Sequence, residues 1–361
     1  MKGNKFKIGN RTVGDNYPPY FVADIGANHD GDIKRAFELI EIAKEAGADA
    51  AKFQNFQAAK IVSKYGFDNL GTMLSHQKKW KKSVYEIYED ASVSFDWTKQ
   101  LKKKCDHVGI EYFTSPYDFK SVDHVDPYVE LYKIGSGDIT WLEIIDYIAK
   151  KGKPVLLASG ASDMKDVERA MKVLEKRKVD ICLMQCNTNY TLDNDKYKYV
   201  NLNVLNTFKA KYPNVVLGLS DHTLGHATAV GAVALGARIL EKHFTDSNDR
   251  EGPDHKFAMN PKTWRAMVDN CLEVFYALGD SKKRVEENEK QSIIVQRRSL
   301  RATHDLKVGE KLTKDDLEAL RPIPAGGIEP YRLKELLGKK LKKPLQRGEH
   351  ITLSHVSNSK K

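Results

Sequence analysis

Short apolar runs that end in Gly, Ser, Asn or His alternate with helical patterns along most of the chain. VADIG (22–26) precedes DIKRAFELIEIAKEAG (32–47), whose Ala36, Ile40 and Ala43 share one face and whose Gly47 is a stop signal. AAKFQ (50–54) follows, then a long insertion to about residue 90 and a helix near 97–108. EYFTSP (111–116), LYKIGSG (131–137), PVLLASG (154–160), ICLMQCN (181–187), VVLGLSDH (215–222) and RILEKHF (238–244) are the further expected strands. WLEIIDYIAKKG, MKDVERAMKVLEKR, HATAVGAVALG and PKTWRAMVDNCLEVFYALG supply helices between or after them. Eight strands separated by helices within about 280 residues match an α/β fold, the (β/α)8 TIM barrel. A doubly wound sheet is the runner-up, but it gathers its polar residues at one switch point. Here they gather at the C-terminal ends of strands from first to last.

The pattern changes after residue 280. SKKRVEENEKQS reads as a charged linker (281–292), separating a catalytic barrel domain (1–280) from a small C-terminal domain (293–361). That domain reads as short strands with turn signals KVGE and QRGE plus one short helix.

Composition narrows the class. With 41% hydrophobic and 30% charged residues and a mean hydropathy of −0.54, the 361-residue chain is neither a membrane protein nor wholly disordered. A net charge of +10 invites a nucleic-acid partner, yet residues 281–361 hold +9 of it, leaving +1 for the barrel. The basic tail lacks interleaved aromatics and a recognition-helix pattern, so neither nucleic acid nor membrane is an expected partner. Cys105, Cys182, Cys186 and Cys271 are too few and scattered for a disulfide framework, and MKGNKFKIGN lacks an apolar leader core, so a reducing cytoplasm is the expected location. Cys182 and Cys186 read as buried strand residues.

Strand parity locates the chemistry, because successive side chains point alternately to the lumen and to the helical layer. Lys52 and Gln54 share one face, Glu241 and His243 another, and Ser220 and His222 a third. His222 and His243 end the last two strands and are therefore neighbours at the barrel mouth. Two imidazoles with nearby carboxylates can hold a divalent first-row metal and leave positions open for a substrate oxygen. Lys52 and Lys133 place two ammonium groups in one cavity; with Ser115, Ser136 and Ser220 they read as a phosphate or phospho-carboxylate site. The alternative is that each lysine pairs with a structural Asp or Glu. Asp254, in the acidic loop DSNDREGPDHKF (246–257), is a candidate contact for a polyol.

Taken in order, ADIGANHDG (23–31), AKFQ (51–54), FTSPYD (113–118), YKIGSGD (132–138), GLSDHT (218–223), EKHFTD (241–246) and GPDH (252–255) resemble the sialic acid synthases. The tail RRSLRA…LRP is similar to their C-terminal antifreeze-like (SAF) domain. The resemblance implies condensation of phosphoenolpyruvate with the open-chain aldehyde of an N-acyl mannosamine-type sugar and water. The products are a nine-carbon acid of N-acetylneuraminate or legionaminate type and phosphate, released by C–O cleavage. It implies that Lys52, Ser115, Lys133, Ser136, Thr188 and Ser220 hold phosphoenolpyruvate, and that His222 and His243 bind Mn²⁺. It further implies that Gln54, Tyr190, Glu241 and Asp254 meet the sugar and that Asp24 is the catalytic base for water, where the family commonly has Glu. The same resemblance implies that Arg321, in LRP, reaches the sugar's N-acyl group from the partner subunit of a domain-swapped homodimer. A pyruvate aldolase using a metal or a lysine on the same barrel is the alternative.

Overall fold

The chain begins with a hairpin that the run-by-run reading does not predict: β1 (Lys5–Ile8) and β2 (Arg11–Gly14), joined by the two-residue turn Gly9–Asn10. All eight expected apolar runs then form strands. They are β3 (Tyr20–Asp24), β4 (Ala50–Asn55), β5 (Glu111–Pro116), β6 (Tyr132–Ile134), β7 (Val155–Ala158), β8 (Ile181–Cys186), β9 (Val216–Asp221) and β10 (Ala237–His243). In the computed structural model, which describes residues 4–70, 82–190 and 194–357, these eight close a parallel barrel in the order β10-β3-β4-β5-β6-β7-β8-β9.

The strands read as near-continuous apolar runs because both their faces are covered, one by the lumen and one by the helices. Phe53 shows how the alternation works: it is fully buried against Tyr112 in the helical layer, while its neighbours Lys52 and Gln54 face the lumen. The helices carry their own start signals. Asp32 caps Ile33–Glu45 through Lys34 N, and Asn260 with Thr263 forms a capping box at the start of Pro261–Ala277. Trp264 on the Pro261–Ala277 helix is wholly buried against Phe244, tying that helix to the end of β10.

The hairpin lies across the N-terminal ends of the barrel strands. The Asn4 side chain donates to Pro213 O and Val215 O just before β9, and Arg238 at the start of β10 donates to Asp15 O. Phe6, Ile8 and Val13 join the barrel's apolar core. Among its described residues the insertion forms three short helices, Ala58–Ile61, Lys64–Asp68 and Val84–Asp90, around a small cluster of Ala58, Val62 and Val84. Its residues 71–81, including part of SHQKKWKKSVYEIYED, lie outside the described residues.

The contacts divide the chain into residues 1–279 and 280–361. The second unit pairs β11 (Ser299–Ala302) with β12 (Leu317–Leu320), adds isolated bridges such as Leu306 to Leu345, and buries Leu300, Leu312, Ile328 and Leu341. Both expected turns place glycine in the left-handed region, Gly309 at φ 87° and Gly348 at φ 80°. The stretch expected as linker is not bare: it holds a 3-10 turn, Glu287–Glu289, and the start of a helix, Lys290–Gln296. Among the described residues, no helix is long and apolar enough to cross a membrane.

Candidate active site

Thirteen of the fourteen residues singled out above line one cavity of about 420 Å³ at the C-terminal ends of the barrel strands. Asp24, Lys52, Gln54, Ser115 and Lys133 come from β3 to β6, and Ser220, Glu241 and His243 from β9 and β10. Ser136, Thr188, His222 and Asp254 stand just beyond strand ends, with Tyr190 packed on the His222 ring at 4.4 Å between centroids. Arg321 belongs to the C-terminal unit.

The floor of the cavity is a layer of ion pairs. Lys52 Nζ lies 2.7 Å from Asp24 Oδ2, and Lys133 Nζ donates to Glu241 Oε1 at 2.5 Å. Ser220 Oγ donates to the same Glu241 oxygen at 3.1 Å, and Gln54 Nε2 donates to Asp24 Oδ2 at 3.2 Å. The lysines therefore do have protein carboxylates as partners, which is the alternative set against a bare anion pocket. Burial pushes the Lys52 ammonium down, but Asp24 and Glu241 outweigh it and hold it above its usual range. Burial likewise pushes the Glu241 carboxyl up, and Lys133 and Lys52 outweigh that and hold it ionised. The layer is incomplete, because Ser115 Oγ and Glu241 Oε2 are buried with no hydrogen-bond partner.

The two histidines stand above this floor with ring centroids 5.4 Å apart. Burial and the neighbouring His243 hold the pKa of His222 down at about 3, leaving a neutral ring whose Nδ1 lies 3.2 Å from Asn187 O. His243 is flanked by carboxylates, with Nε2 3.6 Å from Asp24 Oδ2 and Nδ1 3.4 Å from Asp254 Oδ2. Burial disfavours its charge, yet Asp24 and Asp254 outweigh burial and raise its pKa. Its Nδ1 is a buried nitrogen with no aligned hydrogen bond. This donor set fits a divalent cation: two imidazoles, one neutral and one in surroundings that favour positive charge, beside two carboxylates. Among the described residues no three or more His, Cys, Asp and Glu side chains are placed together to hold a metal ion, so the protein offers the imidazole pair rather than a full ligand set.

The loop after β10 is held by charge. Arg35 pairs with Asp246 at 2.7 Å and Asp30 at 2.9 Å, and fully buried His255 bridges Asp30 and the Thr245 hydroxyl. These contacts present Asp254 to the cavity, where its carboxylate also lies 3.4 Å from Ala27 N. All four cysteines are buried, and Cys186 reaches within 3.9 Å of His222 Nδ1.

Several lining residues escape the sequence reading. Ile87 and Tyr88 come from the insertion helix, Tyr117 from the turn after β5, and Asp138 from the 3-10 turn after β6. Asp138 has no ion pair or side-chain hydrogen bond among the described residues, and burial alone raises its pKa to about 6. Gly160 is a close approach: a Cβ there would overlap Thr188 Oγ1 and lie 2.7 Å from Ser136 Oγ, which accepts the Gly160 N–H at 3.0 Å. FTSPYD and IGSGD contain Tyr117 and Asp138, so the signal lay in the same motifs.

The model of the NeuB family matches residues 39–283. The chain belongs to the NeuB family. The SAF domain model matches residues 297–357, which gives this NeuB-family chain the second module expected from its tail. Relatives include the N,N'-diacetyllegionaminic acid synthase of Campylobacter jejuni, 34% identical over 91% of this chain and 98% of that protein. The pseudaminic acid synthase of the same species is 32% identical over 92% of this chain and 95% of that protein. Among solved structures, the N-acetylneuraminic acid synthetase of Leptospira borgpetersenii in complex with citrate superposes with a TM-score of 0.71 at 27% identity. That match covers 81% of this chain and 95% of that one.

Proposed function

We propose that the protein condenses phosphoenolpyruvate with the open-chain aldehyde of an N-acyl mannosamine-type sugar and water, giving a nine-carbon sialic acid and phosphate. The relatives support the synthesis of this class of acid, and the choice between N-acetylneuraminate and legionaminate type belongs to the proposal. The observation that carries it is the incomplete floor: two buried lysines around a hydroxyl and a carboxylate oxygen that lack partners, beneath two imidazoles.

In this reading the phosphoenolpyruvate charges face Lys52 and Lys133, whose ammonium groups each have three N–H donors and are not exhausted by one carboxylate. Ser115, Ser136, Thr188 and Ser220 surround the same ligand. Gln54, Tyr190, Glu241 and Asp254 orient the sugar. His222 and His243 hold the divalent cation, Mn²⁺ in this proposal, which when bound supplies Lewis acidity toward a carbonyl oxygen. The bond forms between C3 of the enol and the aldehyde carbon. The aldehyde oxygen takes up a proton and becomes a hydroxyl; water adds at C2, giving one proton to Asp24, and the C2–O bond to phosphate breaks as the added hydroxyl becomes the keto group and its proton leaves with phosphate. The same proposal keeps Arg321 for the N-acyl group through a domain-swapped homodimer, supported by its LRP motif. The Schiff-base aldolase alternative requires an uncharged lysine, and the carboxylates around Lys52 oppose that state.

The test is phosphate release from phosphoenolpyruvate with a panel of mannosamine derivatives, in EDTA and with Mn²⁺ restored. Metal-dependent release with an N-acyl mannosamine is the expected result. No release with any of them, or trapping of pyruvate by borohydride, overturns the reading.

A further inference from the structure

β9 and β10 also carry, on the face away from the lumen, charges that this reaction does not use. Lys242 stands opposite Asp221 in the strand register, and each immediately precedes a histidine, His243 and His222. Lys242 Nζ lies 2.6 Å from Asp221 Oδ2, with the two side chains 2% and 3% exposed. Lys242 donates to Thr223 O at 2.7 Å, and Asp221 Oδ2 accepts the hydroxyls of Thr223 and Thr228 at 2.9 and 2.5 Å. A buried pair of this kind is a weak stabiliser compared with apolar side chains of similar volume, because desolvation offsets most of the attraction. It is, however, directional.

What it directs is the histidine pair. Asp221 Oδ1 accepts from Thr223 N at 2.9 Å, closing a turn whose central residue is His222. Lys196 Nζ donates to His222 O at 3.1 Å, and the ring is steadied at Nδ1 by Asn187 O. On the other strand, anchoring Lys242 fixes the backbone between Glu241 and His243, both of which face the lumen.

We propose that the Lys242–Asp221 pair is an external brace that sets the spacing of His222 and His243, and with it the affinity of the site for a divalent cation. Both are positioning residues. The inference rests on the reading of the two histidines as metal ligands. Groups hydrogen-bonded directly to metal ligands typically change metal affinity by about 10–100-fold when removed; Lys242 and Asp221 act through the backbone and fall at the lower end of that range.

The experiment titrates Mn²⁺ into the full-length, EDTA-stripped protein, following the free-ion resonance signal, beside thermal unfolding of the same metal-free samples. In the variant combining Asp221→Asn with Lys242→Met, which removes both charges and keeps an oxygen for Thr223 N, Mn²⁺ binding weakens by about 10-fold, while the metal-free protein still unfolds in one cooperative transition. Wild-type affinity in the folded double variant overturns the brace. Should that variant not fold, Thr228→Val decides: removing one hydrogen bond to Asp221 weakens Mn²⁺ binding by about threefold, and an unchanged affinity overturns the proposal. A wild-type protein that binds no Mn²⁺ overturns the ligand reading and the brace together, whereas tight wild-type binding with an indifferent double variant overturns the brace alone.

Discussion

The two faces of the β9–β10 edge use the same chemistry to opposite ends. On the outer face, Lys242, Asp221, Thr223 and Thr228 close on one another, and neither the ammonium nor the carboxylate is left without a partner. On the lumen face, one residue from Lys242, Glu241 keeps one oxygen without a hydrogen bond, Ser115 across the floor keeps its hydroxyl without one, and His243 Nδ1 has only the 3.4 Å approach of Asp254. Burying an unpaired polar atom costs about 1–3 kcal/mol, so two of them around one cavity are not explained by stability. The closed face satisfies its polar groups within the protein, and the open face does not.

Substitutions can break this contrast. The largest effect is expected from His222→Ala: turnover falls by about 10³-fold or more, equivalent to about 4 kcal/mol, while the melting temperature barely moves. A large loss of stability instead would make the lumen face structural. Next comes Lys242→Met alone, which strands the Asp221 carboxylate in the wall and lowers unfolding free energy by about 3–5 kcal/mol, read from urea titration. A smaller effect of opposite sign is expected at the rim. Burial raises the Asp138 pKa from 3.8 to about 6, so the native state holds this proton more tightly than the unfolded chain. Its contribution is favourable to folding at low pH and is lost as pH rises through 6. Asp138→Asn should therefore stabilise the protein by about 1–2 kcal/mol near pH 8 and have no effect below about pH 4. Equal stability of the two proteins at both values would mean that the carboxylate has a partner. The smallest stability change is expected from Ser115→Ala, within about 0.5 kcal/mol because no bond is lost, together with a several-fold rise in KM for phosphoenolpyruvate.

The barrel was legible because strands covered on both faces must be apolar, and because their polar ends break that pattern at fixed parity. The same parity brings Lys52, Gln54, Ser220, His222, Glu241 and His243 to one lumen. What stayed hidden depends on depth and on distant segments. Whether Lys52 and Lys133 face a ligand or a carboxylate turns on where Asp24 and Glu241 sit along neighbouring strands, which alternation alone does not specify. Asp138 and Tyr117 lie in motifs already in view, but their place on the cavity wall depends on how the turns after β5 and β6 fold. The hairpin was detectable, since Gly9–Asn10 between two short alternating runs is a turn signal. Its four-residue strands are short enough to pass unnoticed.

The closed end of the barrel has a kinetic consequence. Lying across the N-terminal ends of the strands, the hairpin adds a second cover on the side opposite the cavity, which its own ion-paired floor already closes. In the proposed reaction, the reactant assigned to the lysine floor would have to enter before the one assigned to the histidines above it. On the proposed reaction, a compulsory order of addition and inhibition by excess of the second reactant follow from a cavity closed below by its own ion-paired floor.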